Sequence, residues 1–492
     1  MAHEIVTSEA QPQWLAALSI LGVGMLALGL LTRDAPRATD RSIAVLPLTN
    51  VGGDSAQEYL ADGMTDELAT AIGKMSGVRV ASRSLARRYR GQRDLDAREA
   101  GRTLGVAYVM QGSVRRVGDK LRVAAQLTNA ANGVEVWSDS YERGSNEMLS
   151  VQDDITRGVA QALGMGERAP STVARGTSNA EAYDLYLRGQ YLLGRRGRGV
   201  KQSAEYFERA IARDPNFARA HAGLALSLEL FPYFVETPSS KVYDRATAAA
   251  RRALELDSTL ADAHTALGMA YMHAYDWAKA GPEFRKAVEG DLNDGASRLQ
   301  YGRYLLYVGQ TDSALVQMRQ AKANDPFSPL YPGWLGNVLS LQGKHAEGAA
   351  EVSRALEIDS LNQVTLMNGA LVAMRMPDSA RARDLARQLM KVPPWIGFTA
   401  YVHGKLGEPD TAQRIIGVLQ RQKPRAWNAE TAIAYGALGL GDTALALTSL
   451  ERATERGEVW PSFMAITGPE FDPVRHSARF QAVLRRVGLA SP

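Results

Sequence analysis

Apolar residues recur at helical spacing over most of the chain, and from Asn179 to Gly457 the pattern repeats every 34 residues. Each repeat closes on a polar corner in which an aspartate or proline precedes a turn residue. Successive corner positions are 34 residues apart over the series Ser258, Leu292, Pro326, Ser360 and Pro394. The first step, from Pro215 to Ser258, is 43 residues, so nine residues are inserted there. We therefore predict an array of helical hairpins.

A small residue recurs ten positions after each corner. These residues are Ala225, Gly268, Gly302, Gly336, Ala370 and Gly404. Glycine or alanine at a helix crossing lets two backbones approach, and no single hairpin can bury its apolar face alone. The period and the small-residue pattern resemble those of tetratricopeptide (TPR) repeats, which implies an α-solenoid.

The first apolar run, at positions 14–31, has 18 residues without a charge, which is just enough to span a bilayer as a helix. We interpret it as an uncleaved anchor, because the tail before it carries two glutamates and no Lys or Arg; a cleaved signal peptide is the alternative. Ser19, Gly22 and Gly29 recur at helical spacing and are predicted to pack against another transmembrane helix. The alternative is that small residues are simply frequent in such helices.

Residues 42–165 predict a small α+β domain, because a buried strand and amphipathic helices precede segments of alternating polarity. The predicted strands are Ser42–Thr49, Val78–Ser84, Val106–Val117, Leu121–Thr128 and Val134–Arg143. A helix with Leu60, Met64 and Leu68 on one face lies between the first two strands, and further helices are predicted at Ala97–Leu104 and Met148–Leu163.

This domain resembles the TolB amino-terminal-like domain of bacterial multidomain proteins. The resemblance rests on EYLADGMTDEL (58–68), RRYRG (87–91), LGVAYVMQGSVRR (104–116), LRVAAQLTNAANGVEVWSDSYER (121–143) and VQDDITRGVA (151–160). It implies a non-catalytic module that contacts proteins, usually outside the inner membrane and between a transmembrane helix and a repeat array. The family supplies no catalytic residues to carry over.

The last segment, FDPVRHSARFQAVLRRVGL (471–489), resembles the element that closes such arrays, which implies a cap over the last repeat. The predicted order is a tail (1–13), a transmembrane anchor (14–31), a linker (32–41), the α+β domain (42–165), a linker (166–178), the TPR array (179–460) and a capping segment (461–492).

Two loops in the array carry unusual side chains. GRRGRGVK (194–201) is basic and glycine-rich, but it lacks the spacing and the preceding strand of a phosphate-binding loop. We predict a solvated turn, with contact to lipid headgroups or an acidic partner as the alternative. FPYFVETPSS (231–240) falls at the insertion, and its aromatic residues could contact a partner or fold back onto the repeats.

The composition and the missing motifs restrict the class of function that we expect. The chain has no cysteine, a net charge of +4 and seven histidines, none of them at metal-ligand spacing. No nucleophile, kinase or dinucleotide motif is present. These features predict no enzyme activity, no metal or other cofactor, no nucleic-acid binding and no small-molecule substrate.

Protein binding remains, and the first helices of the hairpins should line its groove. Extrapolating the repeat register places Met269, Met272, Arg303, Tyr307, Asn337, Met367, Phe398, Tyr401 and Lys405 there. Methionine and aromatic residues with a few polar groups are typical of peptide grooves. The alternative is that some of these residues pack into neighbouring repeats.

Two functional hypotheses follow. The first is a membrane-anchored scaffold or accessory subunit that stabilises an integral membrane complex, respiratory or photosynthetic complexes being examples. The second is a sensory protein that relays an envelope or peptide signal to a separate membrane partner. We expect one pass through the inner membrane with most of the chain periplasmic, although Arg33, Arg37 and Arg41 favour the cytoplasmic side.

Overall fold

The computed structural model describes residues 41–81, 86–92, 95–144, 147–165, 176–235, 237–292, 294–391, 396–422, 428–458 and 467–489. They form a small α/β domain built on one sheet, followed by helical hairpins. The predicted anchor, with Ser19, Gly22 and Gly29, lies outside these residues. Among the residues that are described, no helix has the length and the apolar character needed to cross a membrane.

The sheet of the α/β domain has the strand order β3-β1-β4-β5-β6, with the short β2 paired to β4. The strands are β1 (Ser42–Val45), β2 (Thr49–Asn50), β3 (Arg79–Val80), β4 (Tyr108–Val117), β5 (Lys120–Asn129) and β6 (Glu135–Gly144). β1 is parallel to β3 and β4, whereas β4, β5 and β6 form an antiparallel meander. The meander was predicted. The first predicted strand instead breaks after Val45, and within the described part of the second predicted strand (78–81), Arg79 and Val80 form the strand.

Alternation along β1 places apolar residues on both faces of the sheet. Ile43 and Val45 belong to the core formed with helices α1 (Glu58–Gly73) and α3 (Met148–Ala162). Ala44 and Leu46 face the other side, where they pack with residues of α2 (Ala97–Leu104). The bounds of α2 agree with the prediction.

The described part of the array contains eight helical hairpins. They are α4/α5 (Ala180–Arg195, Gly199–Arg213), α6/α8 (Ala218–Glu229, Ser239–Leu256), α9/α10 (Ala261–His273, Trp277–Gly290), α11/α12 (Gly295–Tyr307, Thr311–Asn324), α13/α14 (Leu330–Leu341, His345–Ile358), α15/α16 (Gln363–Arg375, Ser379–Leu389), α17/α18 (Ile396–Lys405, Pro409–Arg421) and α19/α20 (Ala429–Leu440, Thr443–Glu455). A single turn, α7 (Phe231–Phe234), lies within the insertion, and α21 (Ala478–Arg486) follows the array.

The recurring sequence features have local causes. The corner aspartates accept a hydrogen bond from the backbone N–H two residues later, at 3.0 Å for Asp257 and 3.1 Å for Asp359, which fixes the turn between hairpins. At the helix crossing of the fifth hairpin, a Cβ on Gly336 would lie 2.6 Å from the carbonyl oxygen of Gly348. Gly336 is therefore required because the two backbones of this hairpin are in contact, whereas a Cβ on Gly268 or Gly302 would meet a side chain of the second helix at 2.7 Å.

The α/β domain packs directly against the first hairpin. The hydroxyl of Tyr59 on α1 donates to Asp184 on α4 at 2.7 Å, and Arg116 and Arg188 contact the same carboxylate at 3.1 and 2.9 Å. Burial and the Asp184 carboxylate raise the pKa of Tyr59 to about 12. These contacts tie the sheet domain to the array.

Candidate functional site

Eight of the nine predicted groove residues are buried. Their exposed fractions are Met269 1%, Met272 2%, Arg303 7%, Tyr307 3%, Asn337 0%, Met367 1%, Phe398 9% and Tyr401 6%, whereas Lys405 is exposed. The register was extrapolated from hairpin periodicity, which cannot show what covers a face. In the fold, parts of the same chain cover it, and binding by these residues stays a prediction.

The insertion covers one part of the groove. Tyr233 of α7 folds back onto the repeats, and its hydroxyl oxygen accepts from Arg303 at 3.1 Å and lies 2.8 Å from Nε2 of His273. Nδ1 of His273 lies 2.7 Å from the carboxylate of Glu229, and both side chains are 2% exposed. Burial disfavours the imidazolium, but Tyr233 and Glu229 outweigh it and raise the pKa of His273 to about 9.

The carboxyl-terminal segment (467–489) covers another part. Arg375 on α15 forms a buried ion pair with Glu470 at 2.8 Å and donates to Asn337 at 2.7 Å. Phe471 packs edge-on against Tyr435 of α19 with ring centroids 5.3 Å apart. Arg375 thus connects the predicted groove residue Asn337 to the carboxyl-terminal segment.

The same segment reaches the third hairpin. The indole N–H of Trp277 donates to the carbonyl of Val487 at 2.6 Å, across 210 residues of sequence. The hydroxyl of Tyr275 donates to the carbonyl of Glu458 at 2.7 Å. α21 also packs beside α20, where Arg479 pairs with Glu451 at 2.8 Å. The predicted cap therefore contacts the last hairpin and also closes the array back on itself.

A cavity of about 700 Å³ remains open between the α/β domain and the first hairpins. We call it the junction cavity. Its wall on the repeat side comes from the first helices of four hairpins, α4, α6, α9 and α11, and its other wall comes from α1 and the arginines at 87 and 90. Outside the cavity lining, the guanidinium of Arg88 lies 5.3 Å from the ring of Phe327, which precedes the fifth hairpin.

Three ion pairs involve charged groups that line the junction cavity, and one of them crosses it. Arg219 makes a bidentate ion pair with Glu67 at 2.6 and 2.7 Å, which joins α6 to α1. Arg87 pairs with Asp66 at 2.9 Å, and Arg90 pairs with Asp62 at 2.6 Å. Three of the four carboxylates that line the domain side are therefore paired with guanidinium groups, and the fourth, Glu58, accepts from the side-chain amide of Asn50 at 3.2 Å.

Arg196 differs from these arginines. It follows α4 in the basic loop, its φ of 58° and ψ of −161° lie in a region that essentially glycine alone adopts, and its side chain lines the junction cavity. Among the described residues, its guanidinium has no hydrogen-bond or ion-pair partner. Burial lowers the pKa of Arg196, against the opposing influence of Tyr331 and Asp294.

Sequence reasoning missed the junction cavity as a site. From the sequence we noted the basic loop (194–201) but predicted a solvated turn. The 34-residue period does not show that Arg196 of this loop would line a cavity. Met269 is the predicted groove residue that lines this cavity. Gln300, one turn before Arg303 on α11, lines it as well and was not predicted.

A second cavity of about 800 Å³ lies on the sheet of the α/β domain. Leu46 and Tyr89 line one side of it, and small or polar residues of β4, β5 and β6 line the floor. Across the floor, Gln126 donates to Gln111 at 3.3 Å. In the described part of the chain, no cluster of histidine, aspartate and glutamate could hold a metal ion.

No protein-family model matches the chain. A curated protein of Rhizobium meliloti (strain 1021), named "Putative adenylate cyclase 3", is 35% identical over 250 residues. The alignment covers 48% of this chain and 42% of the relative, so the chain spans less than half of the relative's length.

This relative contradicts the prediction that the chain is not an enzyme, because a protein named for a catalytic activity shares a long segment with it. The prediction relied on missing motifs and on a resemblance to a non-catalytic module. Neither can exclude chemistry that uses a motif outside the patterns considered.

Solved structures similar to the chain include Pseudomonas aeruginosa PilF, with 20% identity, a TM-score of 0.35, and coverage of 44% of this chain and 95% of that one. YrrB, titled a TPR protein with an unusual peptide-binding site, has 21% identity, a TM-score of 0.29, and coverage of 40% and 96%. Human IFIT1 with m7Gppp-AAAA has 14% identity, a TM-score of 0.42, and coverage of 62% and 77%. The TPR-like assignment rests on the chain's own hairpins and period.

Proposed function

We propose that this chain binds a segment of a partner protein in the junction cavity. The observation that carries the proposal is that the first helices of four hairpins leave a space of about 700 Å³ open. Elsewhere along the array, α7 contacts Arg303, and the carboxyl-terminal segment contacts Arg375 and Tyr435. An extended peptide lying against successive first helices would fit this space.

The proposal also concerns the kind of assembly in which this binding would take place. The relative named for adenylate cyclase supports a role in signalling, in which the array would bind a signalling partner. The other setting is an accessory subunit of an integral membrane complex, respiratory or photosynthetic complexes being examples. A TolB-like identity for the α/β domain and a capping identity for the carboxyl-terminal segment belong to the same proposal.

Copurification in mild detergent tests the proposal with a matched pair of variants. Leu226 on α6 is half-buried and lines the junction cavity, so Leu226→Arg places a charge in it and is expected to lower recovery of the partner about tenfold or more. Val316 on α12 is 50% exposed and outside the cavity, so Val316→Arg is the control.

The identity of what copurifies separates the two settings. Stoichiometric recovery with one membrane complex supports the accessory subunit, and recovery with a nucleotide cyclase or another signalling protein supports signalling. If wild type and Leu226→Arg recover the same partners in equal amount, with both variants folded, the proposed site is wrong.

The membrane anchor at 14–31 is also proposed rather than described. We expect a compartment-specific reporter fused after Pro492 to be active in the periplasm. A charge-neutral triple substitution of the arginines at 33, 37 and 41 should leave that result unchanged or strengthen it, since positive charge favours the cytoplasmic side. Activity on the cytoplasmic side alone would contradict the predicted orientation.

A further inference from the structure

Two hydrogen-bond donors in the junction cavity lack partners among the described residues. The first is the guanidinium of Arg196, described above. The second is the side-chain amide of Gln300, which is 8% exposed. The Oε1 atom of Gln300 accepts from Nη1 of Arg303 at 2.8 Å. Because arginine can only donate, this bond fixes the amide orientation and leaves the NH₂ group towards the cavity.

In contrast to these two donors, the carboxylate acceptors that line the cavity already have hydrogen-bond partners. Glu67, Asp66 and Asp62 each accept from an arginine. Asp294 caps α11 by accepting from the backbone N–H groups of Ala296 and Ser297 at 2.9 and 3.0 Å. A ligand that complements these two donors therefore has to supply acceptors, and a negative charge would pair with the half-buried guanidinium of Arg196.

The backbone of Arg196 supports a role in binding. The residue lies between Gly194 and Gly197 in a conformation that disfavours every side chain, so glycine would suit the fold better there. Backbone strain of this kind clusters at sites where a side chain is needed for function. The sequence keeps an arginine at this position, and the fold gives its guanidinium no hydrogen-bond partner among the described residues.

We infer that the junction cavity binds an acidic segment of a partner protein, with a carboxylate of that segment paired to Arg196 and a further oxygen accepting from Gln300. This inference rests on the proposed function, because it names the chemistry of the partner in the same cavity. Arg196 belongs to the loop within the first hairpin, so this residue of the loop is assigned to binding, whereas the exposed Arg198 lies outside the cavity lining.

Binding of short fluorescein-labelled peptides to the full chain tests the inference. One peptide alternates glutamate with alanine, and its matched counterpart carries glutamine instead of glutamate. We expect the acidic peptide to bind and the neutral one to bind about tenfold more weakly or worse. Arg196→Gly should lower the affinity for the acidic peptide by a similar factor and remove the preference for it.

The same variant separates binding from a structural role. Since glycine suits the backbone at 196, Arg196→Gly is expected to melt at the same temperature as wild type or higher. Arg198→Ala, an exposed arginine in the same loop, removes the same charge and should leave acidic-peptide binding unchanged. A loss of binding together with retained stability cannot come from unfolding.

Several results would overturn the inference. The inference is wrong if the two peptides bind equally, if wild type and Arg196→Gly have equal affinity, or if the acidic peptide does not bind at all. It is also wrong if inorganic phosphate or adenosine 3′,5′-cyclic monophosphate protects the cavity and the peptide does not. If Arg196→Gly still recovers the copurified partner in full while Leu226→Arg does not, the carboxylate assignment fails and the proposed function stands.

Discussion

Replacing Arg375 with methionine is expected to destabilise the folded chain by about 3–5 kcal/mol, because it leaves Glu470 buried without its ion-pair partner. The two side chains are 6% and 1% exposed and their charged atoms lie 2.8 Å apart. The substitution should also release the carboxyl-terminal segment from the groove. Urea denaturation measures the stability, and limited proteolysis after residue 470 measures the release.

Two controls separate the ion pair from general loss of packing. The double variant Arg375→Met with Glu470→Leu removes both charges and should recover most of the lost stability, because no unpaired charge remains buried. Arg252 and Glu255 form an exposed pair at 3.1 Å, and Arg252→Met should cost less than about 1 kcal/mol. A loss below about 1 kcal/mol for Arg375→Met would show that the segment is not held by this pair.

Glu229→Gln is expected to destabilise the chain at pH 6 by at most about 3 kcal/mol, and by less as the pH rises, because Tyr233 as well as Glu229 raises the pKa of His273. This upper limit comes from the full shift in the pKa of His273, from an ordinary value of 6.5 to about 9, because each pKa unit corresponds to about 1.4 kcal/mol of stability. Because the raised pKa belongs to the folded state, the stabilisation is complete below pH 6.5 and is lost as the pH rises through 9. Glutamine keeps a hydrogen bond but removes the negative charge that favours the imidazolium.

Melting of wild type and variant from pH 6 to about pH 9.5 measures this difference. His264 and Glu283 supply a control, since Nδ1 of His264 lies 2.6 Å from the carboxylate, yet the two side chains are 13% and 16% exposed. Glu283→Gln should therefore have a smaller effect. A difference between wild type and Glu229→Gln that is constant over this range would show that His273 does not change its charge there.

The position of the junction cavity has a consequence for how a partner would bind. The α/β domain forms one wall of the cavity, and Arg219 and Glu67 join the two parts by a bidentate ion pair. A partner bound there would contact both parts at once. The affinity of the array should therefore depend on the α/β domain even though the groove is built from repeats.

Local pattern predicted the elements well. The helix at Ala97–Leu104, the meander of β4, β5 and β6, and the hairpins between positions 179 and 457 follow from periodicity and turn residues. The prediction was wrong after Val45, where the first strand breaks, because it did not use Pro47, which has no N–H to donate to the strand ladder. Of the predicted groove residues, Met269 lines the junction cavity, and its role in binding stays a prediction.

The sequence by itself determined the period, the helix crossings and the corner turns, because each of these depends on residues that are close along the chain. Gly336 against Gly348 and the corner at Asp257 are interactions within one repeat or between neighbours. Only the tertiary structure decided which part of the groove stays open. The small rotations between successive hairpins add up until Val487 reaches Trp277, and no local pattern records that sum.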